Sequence, residues 1–160
     1  MIKSVSIPDS ATEIGKDAFG GCSNLTEITI PDSVKKIGRG AFADCGMEKI
    51  AIPEGVTEIE GYVFSGCEDL KEISLPDTVT MIGQSAFAQC AMETIIIPEG
   101  VTGIGELAFA ACKNLVQISI PKSVAEIGGS AFSGCYSLQQ VAIPKNLKIL
   151  ILVHFQSVKV

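Results

Sequence analysis

The sequence has no tryptophan, and its 160 residues include a single histidine, His154. His154 lies in the degenerate C-terminal tail, so we expect neither a Ser-His-Asp triad nor a metal site built on histidines. The acidic pair Glu68-Asp69 follows a cysteine in a predicted loop, where we interpret both residues as solvated charges. The 16 glycines recur as turn residues, and none belongs to a G-x-x-x-x-G-K-[ST] phosphate loop. We therefore expect a protein that is not an enzyme and that holds no cofactor.

Positive charge and long apolar runs are also scarce. The 12 lysines and arginines are outnumbered by 18 acidic residues, which gives a net charge of −6. Nucleic acids and anionic membrane surfaces are bound by clustered cations, so we expect neither partner. The longest aliphatic run, Ile149 to Val153, is far shorter than the roughly 20 residues of a membrane-spanning helix. The first eight residues lack the apolar core of a signal peptide. The protein therefore either stays inside the cell or is exported by a signal outside this sequence.

Three residue types recur along the chain with one shared period. Phenylalanine occurs three residues before each of the six cysteines, and the spacing between successive cysteines alternates between 23 and 22 residues. The repeats begin at Pro8, Pro31, Pro53, Pro76, Pro98 and Pro121, with a degenerate seventh from Pro144. A fixed period of this length is the signature of a solenoid. We predict a single repeat domain that spans residues 1–160.

Two of the repeats are one residue short, and the missing residue can be located. A long repeat reads Cys22-Ser-Asn-Leu25, whereas the short repeats read Cys45-Gly-Met47 and Cys90-Ala-Met92. A flexible methionine side chain can fill the leucine pocket from a displaced backbone. The deletion is therefore predicted in the loop that follows the cysteine.

Each repeat is predicted to form one coil. Residues 25–30 end in alternating apolar and polar positions, which is typical of a strand, and the proline that follows ends the strand. Gly38 marks a turn, and Ala41, Phe42 and Cys45 have the spacing of one helical turn. We predict an α/β repeat solenoid: a right-handed coil with one parallel β-strand per repeat on the concave face and short helical turns on the convex face.

The phenylalanines and cysteines are expected to form ladders inside the coil. Equivalent residues of stacked coils lie about 5 Å apart, which would permit a disulfide, and a metal site is the other functional interpretation. The cysteines stand one per coil, however, with no C-x-x-C pair and no histidine beside them. We therefore interpret them as small buried hydrophobic residues. A chain that needs no disulfide is compatible with a reducing compartment.

The repeated string Ile-Pro-x-x-Val-x-x-Ile-Gly-x-x-Ala-Phe-x-x-Cys, as in residues 30–45, resembles the BspA-like (Treponema-type) leucine-rich repeat. The resemblance covers residues 2 to about 150 and implies a leucine-rich-repeat fold. It also implies a cell-surface or secreted location and binding to host proteins, matrix proteins or other cells. The ordinary leucine-rich repeat has Asn or Cys after its strand to satisfy backbone groups. Here those positions are Ser10, Ser33, Gly55, Thr78, Gly100 and Ser123, so the backbone must be satisfied in another way.

The residues that flank each central strand isoleucine point away from the interior and vary strongly from coil to coil. They form the candidate concave binding face: Glu27, Thr29, Lys49, Glu72, Ser74, Thr94, Ile96, Gln117, Ser119 and Gln140, with Ser4, Ser6, Ala51 and Ala142 beside them. Solenoids commonly bind ligands on such a face, so we hypothesise an interaction scaffold for a protein or glycan partner. Solvated positions are also free to vary without function. The alternative is therefore a structural spacer cut from a longer cell-surface repeat protein, with no dedicated binding site.

Two further surfaces follow from the pattern. Tyr62, Tyr136 and Leu107 lie outside the strand face and are interpreted as exposed, which would give a second contact surface on the convex side. Terminal coils of a repeat array expose their apolar stacking face unless they are capped. No cap precedes Ile2, and the segment 147–160 loses the repeat pattern, so self-association through the ends is a further hypothesis.

Overall fold

The structure, a computed structural model, describes residues 2–150. Within that range the chain passes through seven pairs of strands, each made of a three-residue strand and then a two-residue strand. The three-residue strands are β1 (Ser4–Ser6), β3 (Glu27–Thr29), β5 (Lys49–Ala51), β7 (Glu72–Ser74), β9 (Thr94–Ile96), β11 (Gln117–Ser119) and β13 (Gln140–Ala142). The two-residue strands are β2 (Glu13–Ile14), β4 (Lys36–Ile37), β6 (Glu58–Ile59), β8 (Met81–Ile82), β10 (Gly103–Ile104), β12 (Glu126–Ile127) and β14 (Ile149–Leu150).

Equivalent strands stack in parallel, and each residue faces its counterpart one repeat away. Lys49, for example, is paired with Glu72, and Thr94 with Gln117. This confirms the parallel strand of the predicted coil. The second strand of each coil was not predicted, because two residues are too few to show an alternating pattern in the sequence. The chain is therefore a parallel-strand solenoid of leucine-rich-repeat type.

The core is a set of columns, each built from one residue type. Neighbouring phenylalanine rings stack with centroids 5.4 to 5.7 Å apart, from Phe19 through to Phe132. Phe42, Phe64, Phe87 and Phe109 are fully buried, together with the valine and isoleucine columns. Stacking thus supplies the burial that no single coil could provide, and the predicted phenylalanine ladder is confirmed.

The segment between the second strand and the cysteine is not helical. The residues from 2 to 150 contain no helix, so the prediction of short helical turns on the convex face is wrong. The N–H of Phe42 donates to the carbonyl oxygen of Val63 in the next coil at 3.0 Å, whereas the amides on either side of it bond within their own coil. The backbone is left-handed two residues before and two residues after the phenylalanine, with φ of 65° at Gly40 and 55° at Asp44. Amides that alternate in direction cannot form the i to i−4 ladder of an α-helix.

We call this segment the convex arc; it comprises residues 15–22, 38–45, 60–67, 83–90, 105–112 and 128–135. The turn after each strand, where the asparagine ladder is absent, is closed locally instead, as the Val34 N–H donates to the carbonyl oxygen of Pro31 at 3.0 Å. In the arc, part of the backbone bonds to the neighbouring coil. The phenylalanine N–H and the N–H groups two residues to either side of it donate to the next coil, as at Ser85, Phe87 and Gln89, each at 2.8 Å. Three backbone hydrogen bonds therefore link adjacent arcs from the first to the sixth.

The strand face is interrupted where the repeats are short. β1 pairs with β3, β5 with β7, and β9 with β11 and β13, and 23 residues separate each of these pairs. No hydrogen-bonded strand pair joins β3 to β5 or β7 to β9 in the described chain, and these are the two places where the spacing is 22 residues. The missing loop residue therefore separates the strands instead of shifting the core.

The C-terminal features of the sequence are only partly described. At the end of the described range, Ile149 and Leu150 form β14, which pairs with β12. The remainder of the segment 147–160, with His154, lies beyond the described residues from position 151 onward. Within the described part, no helix is long and apolar enough to cross a membrane.

Candidate functional site

The residues predicted to form the concave binding face all project into solvent. Exposure alternates along the three-residue strands, with the central residue turned inward and its two neighbours outward. The outward residues of β3 to β9 line an open groove with a volume of about 950 Å³. Gln117, Ser119 and Gln140 continue the same face beyond the groove. The structure thus brings the predicted residues together on one surface.

The charge of this face changes along the solenoid. Glu27, Lys49 and Glu72 alternate in sign across successive strands, and Lys71 Nζ lies 3.4 Å from Glu48 Oε2 beside them. Beyond β7 the outward strand residues carry no charge: they are Thr94, Ile96, Gln117, Ser119, Gln140 and Ala142. Ile96 is 85% exposed at the boundary between the two halves. The groove therefore joins a charged region to a neutral region with one exposed aliphatic side chain.

The cysteines form a column beside the phenylalanines, and their thiols have a specific partner. The Sγ–H of Cys67 donates to the carbonyl oxygen of Phe42 one coil earlier, at 3.0 Å. The same bond recurs from Cys45 to Cys135 at 3.0 to 3.2 Å. All six cysteines are free thiols, and the described residues contain no cluster of three or more His, Cys, Asp or Glu side chains that could hold a metal ion. The sequence reading as buried small residues did not anticipate this hydrogen bond.

Burial makes the thiols of Cys45, Cys67 and Cys90 poor nucleophiles. Desolvation raises the pKa of Cys45 to about 11 and that of Cys67 to about 12, from an ordinary value of 9.0. It also raises the pKa of Cys90 well above that value. The thiolate is the reactive form of cysteine, so these residues are suited to packing and hydrogen bonding and not to nucleophilic catalysis.

The three residues predicted to form a second contact surface on the convex side are not equally exposed. Tyr62 is half-buried beneath the guanidinium of Arg39, whose carbon lies 4.3 Å from the ring centroid. Leu107 is half-buried as well, so the prediction that it is exposed is wrong. Both residues have a left-handed backbone, with φ of 63° at Tyr62 and 56° at Leu107. Only Tyr136, at 69% exposure, is fully available to a partner.

A second, smaller cavity was missed by the sequence reading. The loop edge, which we define as the residues between each cysteine and the Leu or Met that follows it, has a notch of about 200 Å³ at the short loop of residues 90–92. Its polar walls are Glu68, Gln89, Lys113 and Asn114. The signal was present in the sequence as the one-residue deletion between Cys90 and Met92, which makes this loop shorter than its neighbours.

Comparison with solved structures identifies the fold. A leucine-rich repeat protein from Bacteroides ovatus is 43% identical with a TM-score of 0.86, and the match covers 90% of this chain and 40% of that chain. The T. pallidum leucine rich repeat protein is 28% identical with a TM-score of 0.67, covering 89% and 59%. A leucine rich cell surface protein from Faecalibacterium prausnitzii is 26% identical with a TM-score of 0.58, covering 99% and 72%. This chain thus spans less than two thirds of the first two structures.

Comparison by sequence gives the family. No functionally curated protein matches the chain. The profile of the BspA type leucine rich repeat region matches in six copies, over residues 1–116 and 80–159. These matches cover almost every residue and agree with the columns of phenylalanine, cysteine and isoleucine described above. The chain belongs to the BspA-type leucine-rich repeat family.

Proposed function

We propose that the chain is a non-catalytic interaction scaffold that binds a protein partner through the groove on its strand face. The observation that carries this proposal is the row Glu27, Lys49 and Glu72 of alternating charge beside the 85%-exposed Ile96. Alternating charges favour a partner with a complementary pattern and select against others. An exposed aliphatic residue supplies apolar area that becomes buried on binding. The groove is formed by the fold itself, which limits the entropy lost on association.

The groove lacks the side chain types that usually contribute most of the binding energy at an interface. Binding hot spots are enriched in Trp, Tyr and Arg, and none of these residues lines it. We therefore expect moderate affinity from one array, with strength gained when several such faces bind together.

Substitutions that place a negative charge in the groove test the proposal. Lys49→Glu and Ile96→Asp, each compared with the wild-type chain, should weaken binding of a partner captured from host-cell extract by about tenfold or more. Lys122→Glu is the matched control, since Lys122 is exposed outside the groove. Affinity is measured by biolayer interferometry at two salt concentrations, because the charged half of the groove should make binding weaken with added salt. Equal affinity for all four proteins would contradict the groove and favour a structural spacer instead.

We also propose a location at the cell surface. The support is the similarity to the F. prausnitzii protein described as a leucine rich cell surface protein. Antibody labelling of intact and permeabilised cells tests this. Signal only after permeabilisation would contradict it.

A further inference from the structure

The notch at the loop edge is a built feature of the fourth repeat. The neighbouring loops, residues 67–70 and 112–115, are each one residue longer than the loop Cys90-Ala91-Met92 between them. The N–H of Ala91 donates to the carbonyl oxygen of Leu70 at 3.0 Å, and the carbonyl oxygen of Ala91 accepts from Asn114 Nδ2 at 3.3 Å. The short loop is thus the floor of the notch, held by hydrogen bonds from both sides.

The walls of the notch select a ligand by chemistry. Glu68 presents carboxylate oxygens, Lys113 presents ammonium donors, and Gln89 and Asn114 present amides that can both donate and accept. An anion attracted to Lys113 would be repelled by Glu68. A cation attracted to Glu68 would be repelled by Lys113. An apolar ligand would displace the water bound to these polar groups and would not replace the hydrogen bonds that the water makes. The notch therefore suits a small neutral molecule with many hydroxyl groups.

Gln89 occupies an arc position whose backbone is left-handed in every coil. Its φ is 64°, and the equivalent residues, all with positive φ, are Gly21, Asp44, Gly66, Ala111 and Gly134. The conformation therefore belongs to the arc and does not by itself single out Gln89. What distinguishes Gln89 is an exposed amide side chain that lines the notch, where the glycine of three other coils would offer none.

An aromatic residue lies on the same edge. Tyr136 follows Cys135 just as Lys113 follows Cys112, so in-register stacking puts it one coil beyond Lys113. At 69% exposure it is the most exposed aromatic side chain among the described residues. Two coil spacings of about 4.8 Å separate the short loop from Tyr136. A hydroxyl-rich ligand that is longer than one ring would therefore reach from the notch to the aromatic face.

We propose that the loop edge of repeats three to six is a carbohydrate-binding site. The notch takes one neutral sugar ring, whose hydroxyl groups bond to Glu68, Gln89 and Lys113. The next sugar of the chain lies against the ring of Tyr136, whose apolar face suits the C–H groups of a sugar. The site shares no residue with the groove on the strand face, so one array can hold a glycan and a protein partner at once.

The experiment uses the full chain and an array of immobilised oligosaccharides, both neutral and acidic. Each oligosaccharide that is retained is then titrated free in solution and followed by NMR. We expect at least one neutral oligosaccharide to bind with a Kd of about 1 mM or tighter. Gln89→Gly should weaken it by about tenfold or more while the melting temperature holds or rises, because glycine relieves the backbone strain. Tyr136→Ala should weaken binding similarly, and Tyr136→Phe should keep most of it.

Two controls separate this site from others. Ser23→Ala changes the position in the first coil that is equivalent to Lys113, and it should leave the Kd unchanged. Lys49→Glu changes only the groove and should also leave it unchanged. The proposal is overturned if no neutral oligosaccharide binds in this range, or if Gln89→Gly and Tyr136→Ala bind as the wild type does. Retention of acidic glycans alone, lost on Lys113→Ala but not on Tyr136→Ala, would overturn it as well and indicate simple charge attraction.

Discussion

The convex arc and the strand face respond differently to the same deletion. At the short spacing between the fourth and fifth repeats, Phe87 N–H still donates to Ala108 at 2.8 Å, as Phe64 N–H does to Ala86 at a long spacing. On the strand face, the same short spacing leaves β7 and β9 unpaired. One side of the solenoid is therefore continuous in its hydrogen bonds, whereas the other is divided into blocks.

The difference follows from what each side buries. The arc stacks phenylalanine rings and thiols in columns that tolerate no shift, since protein interiors are closely packed. The loop after the cysteine is exposed on one side, and methionine replaces leucine there to refill the pocket from a displaced backbone. The deletion is absorbed where water can replace lost contacts. The groove and the notch each adjoin one or both of these short spacings.

The largest expected effect comes from the arc. Phe87→Ala removes a ring stacked 5.6 Å and 5.4 Å from its neighbours and should lower the free energy of unfolding by about 3–5 kcal/mol. Ile96→Ala, on the exposed strand face, should change it by less than about 0.5 kcal/mol. Urea unfolding followed by circular dichroism measures both. Similar losses of unfolding free energy in the two variants would contradict the conclusion that the arc contributes more to stability than the strand face.

The close approach of adjacent coils gives the next effect. A Cβ added at Gly105, where the arc begins, would lie 2.6 Å from the backbone N of Gln84, whereas a Cβ at Gly15 meets nothing within 4 Å. Gly105→Ala should therefore cost about 1–3 kcal/mol, and Gly15→Ala should be neutral or slightly stabilising. Glu60 stands at this position in the third coil, where its carboxylate accepts the Arg39 N–H at 2.9 Å. An alanine at position 105 could not make a compensating hydrogen bond of this kind. Equal melting temperatures for Gly105→Ala and Gly15→Ala would contradict the steric argument.

The thiol column predicts a pH dependence. Cys67→Ala removes the hydrogen bond to Phe42 and should cost about 1–2 kcal/mol at pH 7. The wild-type thiol has a pKa of about 12 when folded and an ordinary value of 9.0, because burial disfavours the thiolate. Its contribution is complete below pH 9 and is lost as the pH rises from 9 through 12.

The difference in unfolding free energy between wild type and Cys67→Ala should accordingly narrow above pH 9. All other ionisable side chains are common to both proteins, so their contributions cancel in the difference. Urea titrations at pH 7, 9 and 10 measure it. A difference that stays constant or widens would show that the buried thiol does not ionise on unfolding as described.

The smallest effect comes from restoring a long loop. Insertion of serine after Ala91, together with Met92→Leu, converts the short fourth repeat to the long pattern. β7 and β9 should then pair, and stability should rise by about 1 kcal/mol or less. Amide hydrogen exchange should slow at Thr94–Ile96 and remain unchanged at Phe87 on the arc. Unchanged exchange at the strand would mean that the loop deletion is not what separates β7 from β9.

The strand and the core columns were predictable because period and residue type agree. Each phenylalanine and cysteine recurs at one position, so stacking alone places Phe87 beside Phe64 and Phe109. The arc was misread as helical because Ala41, Phe42 and Cys45 have a spacing that a helical turn and this turn share. Their amides alternate between their own coil and the next, and this depends on a neighbour that one repeat does not contain.

The sequence by itself determined the period, the inward columns and the outward candidates of the strand face, since burial follows directly from repeated apolar positions. Only the tertiary structure decided where backbone and thiol hydrogen bonds go, since their partners belong to adjacent coils. It also decided that the deletion after Cys90 opens a notch whose walls, Glu68 and Lys113, lie 45 residues apart in the chain. A cavity between coils depends on how three adjacent loops are positioned relative to one another, and those positions are defined only when the coils are stacked.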